Sequence, residues 1–306
     1  MKIGIMLPLA AEEAGSEQVP RYAEIRNLAV QAESDGFDAI WIYDHLLYHF
    51  PERPIEGVWE GWTVLSALAE ATKRVELGAL VMCIPFRNPA VLAKMAVTLD
   101  EVSGGRLILG LGAGWHRPEF DAFGIPFDHK VDRFEEALQI IAPLLREGRA
   151  SFRGTYYAAD DCVIVPHGPR PAGPPLLIGS FGPRMLRLTA RYADSWNTCW
   201  LGKVSALAEP RAAMEAACAE EGRDPATLAV TVGVTIDYST SPRSDETPVD
   251  PNKALTGTPA DIAGDLRDYA EAGVAHVMCS LFPTNATSLA RLAESLVIYR
   301  SLVSGR

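Results

Sequence analysis

The sequence predicts an α/β fold: a (β/α)8 TIM barrel with insertions, running as one domain over residues 1–306. Three observations point there. Short β-branched apolar runs alternate with helical patterns along the whole chain, and no long linker separates them. The runs are apolar almost throughout, as parallel strands covered on both faces are. A length of 306 residues suits a barrel, which needs about 250, with additions in its loops. An open doubly wound sheet alternates too, but even repeats favour closure.

The first strand, KIGIMLP from Lys2, leads into YAEIRNLAVQAESDGF. There Ile25, Leu28, Ala29 and Ala32 make one stripe, and Gly36 suits the position just past a helix end. AIWIY from Ala39 is followed by WTVLSALAEATKR, and VELGALVMCI from Val75 by NPAVLAKMAVTLDEVSGG. RLILGLG from Arg106 is followed by RFEEALQIIAPLLREG, and PLLIGS from Pro175 by PRMLRLTARYADS. SWNTCW from Ser195 precedes VSALAEPRAAMEAACAEEG. LAVTVGVTI from Leu228 leads to TPADIAGDLRDYAEAG, with Thr258 a candidate N-cap, Pro259 at the first helical position and Asp261 at the third. AHVMCSLF from Ala275 and SLARLAESLVIYRSLV close the set. Two segments break the rhythm: the Pro/Gly-rich residues 150–174 and the polar residues 238–257. Each reads either as an active-site loop or as a surface insertion.

A net charge of -11 without a dense Lys/Arg cluster argues against nucleic acid as a partner. The five cysteines, Cys83, Cys162, Cys199, Cys218 and Cys279, form no C-x-x-C pair and read as reduced thiols. No leader pattern opens the chain and no apolar run is long enough for a bilayer, so a cytoplasmic protein without membrane contact is expected. No metal is expected either. The first strand carries no histidine, and His116, His129, His167 and His276 lack ligand spacing. His276, in an apolar strand, reads as a satisfied core histidine. Trp41, Trp59, Trp62 and Trp196 read equally as pocket or as packing.

LILGLGAGWHRPEFDAFG, from Leu107, looks at first like a dinucleotide fingerprint. That motif needs a helix to start at once, whereas Trp115-His116-Arg117-Pro118 is bulky and hostile to one. It also belongs to the fourth strand unit rather than the first. What remains is a strand end without side chains, open to a flat ligand at the end of the barrel where ligands bind.

Four segments resemble the bacterial luciferase-like monooxygenase superfamily: FDAIWIYDHLLY; ELGALVMCIPFRNPAVLAKMAVTLDEVSGGRLILGLGAGW; HRPEFDAFGIPF with RFEEALQII; and PPLLIGSFGPRMLRLTARYADSWN. Together they cover most of residues 36–200, in the family's order. The resemblance implies the same barrel, a flavin-type cofactor (coenzyme F420 preferred, or FMN), a small-molecule substrate and a possible homodimer. It implies a non-proline cis peptide at Leu80–Val81 beneath the flavin ring. It places Asp44 and His45 at the catalytic site, His45 moving a proton as a hydride leaves or arrives. It places Gly112, Ala113 and Gly114 at the cofactor, and Gly179, Ser180, Phe181 and Gly182 around its phosphate, held by main-chain donors and a hydroxyl, with Arg184 and Arg187 nearby. Two departures stand out. Some relatives carry a tryptophan and a glutamate where this chain has His49 and Trp115, and Glu119 is the candidate substitute acid. Light-emitting luciferases carry an arginine where this chain has Ala113. The function expected is F420-dependent hydride transfer. The alternatives are FMNH2-dependent monooxygenation and a flavin-binding barrel without turnover.

Overall fold

The computed structural model describes residues 1–239 and 253–304. Its centre is a barrel of parallel strands: β1 (Lys2–Met6), β2 (Ala39–Ile42), β3 (Glu76–Ala79), β4 (Leu107–Gly112), β5 (Leu176–Gly179), β6 (Ser195–Leu201), β7 (Ala229–Asp237) and β8 (His276–Phe282). Each pairs with its neighbours in chain order, β8 with β1 and β4 with β5, so no edge is left open. Helices α1 (Tyr22–Ser34), α2 (Gly61–Ala71), α3 (Pro89–Ser103), α4 (Lys130–Arg146), α5 (Pro183–Tyr192), α6 (Ala208–Glu220), α7 (Pro259–Glu271) and α8 (Ala286–Ser304) surround it. No described helix is long and apolar enough to cross a membrane.

The expected strands and helices are all present, and their ends follow the residues that cap them. Gly36 follows α1 at φ 89°. Thr258 accepts from the Asp261 backbone N–H while the Asp261 carboxylate accepts from Thr258 N, a reciprocal cap at the start of α7. The main core lies between strands and helices, with Ile40, Leu77, Leu109 and Ile178 facing the helix ring. A second, smaller cluster fills the barrel interior around Met6, Trp41, Leu177 and Met278. The large Trp41 ring fits because Gly4 and Gly78 leave space on both neighbouring strands.

The run VELGALVMCI is interrupted where the family resemblance implies: the chain leaves β3 after Ala79 at a cis Leu80–Val81 peptide and resumes pairing with β4 at Met82–Cys83. Two expectations change. The segment 150–174 is not a plain loop. Arg149–Arg153 and Ala158–Val163 form an antiparallel hairpin whose tip is held by Glu136 of α4, through the backbone N–H groups of Thr155, Tyr156 and Tyr157. His276 is buried but not satisfied. Burial drives its pKa down to about 3, and Nε2 has no hydrogen-bond partner. Of the segment 238–257, residues 240–252 lie outside the described residues.

Candidate active site

The C-terminal ends of the strands carry a connected set of polar side chains. Asp44 and His45 leave β2 together and point to different neighbours. Asp44 is buried and accepts from Cys83 N at 2.7 Å and from both guanidinium nitrogens of Arg87, at 2.7 and 2.9 Å. Arg87 also reaches Glu60, whose carboxylate caps the first turn of α2. Burial alone would lower the pKa of Arg87, but its hydrogen bonds to Asp44 and the charges of Asp44 and Glu60 reverse that. A bidentate pair of this kind fixes geometry as well as charge. Asp44 thereby ties the segment after β2 to the segment after β3.

His45 meets Glu119 instead. Its Nδ1 lies 3.0 and 3.2 Å from the two carboxylate oxygens, and Leu46 N donates to the same carboxylate at 2.9 Å. Glu119 is buried in a short helix, Arg117–Phe123, which corrects the expectation that Arg117-Pro118 would exclude one: Pro118 sits in the first turn, where its missing N–H costs nothing. With the proton on Nδ1, Nε2 is left as an acceptor with no hydrogen-bond partner among the described residues. His116 holds the loop beyond: its Nε2 accepts from His49 N at 3.0 Å, and burial lowers its pKa.

A cavity of about 390 Å³ opens beside His45, within the usual range for small-molecule sites. Its wall includes Glu13, Tyr43, Tyr48, Phe50, Trp115, Trp200 and Ser280. His45 stands one ring behind, its centroid 4.8 Å from Tyr48 and 5.5 Å from Trp115. Glu13 was not singled out in the sequence. It lies in a short helix, Ala11–Ala14, just after β1. Leu9 N and Ala10 N donate to it at 2.8 and 3.2 Å, and Tyr48 Oη at 3.2 Å. Burial pushes its carboxyl up to about 7 against those hydrogen bonds. A roomier cavity of about 460 Å³, lined by Trp196, Arg211 and Ala275 among others, lies at the N-terminal end, away from where barrel chemistry is placed.

The glycines take a different role from the one expected. A Cβ on Gly112 would sit 2.4 Å from Val81, and one on Gly179 3.2 Å from it, while one on Gly110 would strike the Ala79 carbonyl at 2.0 Å. The space left by β4 and β5 is therefore taken by the turn at Leu80–Val81. Val81 itself stays partly exposed. Gly114 is left-handed at φ 78°, and a Cβ there would strike Cys83 and Phe120. Ala113, beside it, packs against the core.

At the candidate anion site, Gly182 starts α5 with no side-chain cap and Phe181 is exposed. Ser180 differs from expectation: its hydroxyl is buried and pairs with Thr189 at 2.8 Å. Arg184 is engaged with Asp132 and Glu135 of α4. Main-chain N–H groups of the first turn are what this end offers an anion. Of the tryptophans singled out in the sequence, Trp41, Trp62 and Trp196 are buried and Trp59 donates to Pro20 O. Trp115 and Trp200 line the mouth instead.

Comparison with known proteins places the fold and the family. The chain is 32% identical over 221 residues to the phthiodiolone/phenolphthiodiolone dimycocerosates ketoreductase of Mycobacterium kansasii, covering 66% of this chain and 60% of that protein. It is 29% identical over 243 residues to the pyrimidine monooxygenase RutA of Escherichia coli, covering 73% and 64%. The chain thus spans less than two thirds of the length of these relatives. An F420-dependent secondary alcohol dehydrogenase, solved with an F420-acetone adduct, has the same fold. Its TM-score is 0.77 at 22% identity, covering 98% of this chain and 99% of that one. The F420-dependent tetrahydromethanopterin reductase of Methanopyrus kandleri superposes at a TM-score of 0.76 with 19% identity, covering 97% and 96%. The family model described as luciferase-like monooxygenase matches residues 1–247, and the chain belongs to that family.

Proposed function

We propose that the protein is a flavin-type oxidoreductase working on a small organic molecule at the barrel mouth. The observation that carries this is the His45–Glu119 pair, its imidazole packed against Tyr48 and Trp115 of the cavity wall. The residues fit a flavin-type group. Val81, cushioned by Gly112 and Gly179, offers an apolar support, and the first turn of α5 offers main-chain donors for an anionic tail. When bound, such a group supplies the redox chemistry. Everything else falls to the chain. Glu119 fixes the imidazole through Nδ1, so that Nε2 takes or gives the proton that accompanies reduction or oxidation of the substrate. Glu13, near neutrality and bonded to Tyr48, is a second group able to hold a proton on the cavity wall. Asp44 and Arg87 position His45 without touching the reacting atoms. The aromatic wall excludes water.

Hydride transfer with F420 is the reading we favour, because an imidazole held through Nδ1 suits the proton transfer of alcohol or ketone chemistry and a relative is named as a ketoreductase. FMNH2-dependent monooxygenation is the second reading, favoured by the match to the monooxygenase RutA. An anaerobic titration with F420 and with FMN, each oxidised and reduced, decides between them. Tight F420 binding supports the first and preference for reduced FMN the second. Binding of neither overturns the cofactor site.

A further inference from the structure

We infer that the mouth cavity selects uncharged or cationic aromatic molecules and rejects carboxylates and phosphates, an inference that rests on reading this cavity as the substrate site. Among the described residues, its wall carries two carboxylates, Glu12 and Glu13, and no lysine, arginine or histidine. The other lining side chains are aromatic, apolar or neutral hydroxyls, with Phe50, Trp115 and Trp200 forming a broad π surface and Tyr43 bonded to Ser280 at 3.2 Å. Arg53 contacts the lining residue Glu12 at 3.5 Å and is not itself a lining residue. An anion entering here loses its water and meets no lining counter-charge among the described residues. A cation gains both the carboxylates and the aromatic faces. A neutral ring gains the aromatic contact and gives up little hydration.

The strands beneath supply no hidden cation. Thr235, Ser280, Leu281 and Phe282 are what β7 and β8 present to the cavity. Arg87, a half-buried cation of the site, is committed to Asp44 and Glu60. The selectivity is therefore carried by the wall's composition, and Glu12, exposed at the rim, is a specificity-determining position.

Calorimetric titration with benzyl alcohol, benzylamine, benzoate and phenyl phosphate tests this directly. The expected result is that the alcohol and the amine bind at least roughly tenfold more tightly than the two anions, a gap that salt narrows for the charged probes. Glu12→Lys should shrink the gap for benzoate and weaken benzylamine. Equal affinity for benzoate and benzyl alcohol, no binding of any probe, or a gap untouched by Glu12→Lys would overturn the inference. Titration of the same protein with F420 and FMN keeps the two readings apart. Loss of cofactor binding with the aromatic preference intact sinks the cofactor reading and supports this one. Cofactor binding with indifference to probe charge does the reverse.

Discussion

At the scale of single residues, protons decide the outcome. His45→Gln keeps a side chain that can reach Glu119 but removes the titratable nitrogen. It should lower kcat by about 100-fold or more while changing cofactor affinity by less than about threefold. Steady-state kinetics beside a binding titration checks this, and equal loss in both would deny His45 its role. Glu13 gives a prediction with a definite sign. Its folded pKa, about 7, lies above the ordinary carboxylate value of 4.5, so the folded state holds a proton that the unfolded state has lost. The stability it contributes is present at low pH and disappears as pH rises through about 7. Glu13→Gln, an isostere of the protonated form, should leave Tm nearly unchanged at acid pH and raise it at alkaline pH. His276 runs the other way. Its folded pKa of about 3 lies below the usual 6.5, so its contribution is full above 6.5 and falls as pH drops through that window. Between those values the slope it adds is about 1.4 kcal/mol per pH unit. In His276→Gln, denaturant unfolding at stepped pH should show a flatter acid limb by that amount.

At the scale of elements, two strand ends are held by their partners. Arg87 joins the segments after β2 and β3 to the first turn of α2 through Asp44 and Glu60. Removing one partner from a buried pair leaves a stranded charge, which costs about 3–5 kcal/mol. Arg87→Met should therefore lower stability by about that much, and lower kcat further by letting His45 drift; chemical denaturation and kinetics on the remaining folded protein measure the two parts. The turn at Val81 is held by absence. Gly112→Ala puts a Cβ 2.4 Å from Val81 and should push it toward the mouth, weakening flavin binding by about tenfold or more. Val81→Ala in the same chain should recover most of that loss. A double-mutant cycle on cofactor affinity reads the coupling.

At the scale of the whole molecule, the barrel was legible because its signal is local and repeated. Each strand from Lys2 to Phe282 carries its own run of apolar residues, and each helix its own stripe and cap, as at Thr258. The site was legible only in part. Asp44, His45 and Glu119 sit in recognisable motifs, and the chain brings His45 and Glu119 into contact across 74 positions. Glu13 could not be found this way, since what distinguishes it from Glu12 is its burial by Tyr48 and neighbours, a tertiary fact. The purpose of the glycines was hidden for the same reason. A missing side chain says that space is needed, and only the fold says by whom. Ser180 shows the converse, a motif hydroxyl that the packing turns inward to Thr189.

The arrangement around Val81 bears on how such a site can be moved or inherited. The vacancies it needs are on β4 and β5, at Gly112 and Gly179, while the turn itself follows β3. A graft of the β3 loop alone into another barrel would collide with ordinary side chains on two further strands. The transferable unit is three strands deep, and recombination that cuts between residues 81 and 179 should break it unless both parents already share the glycines.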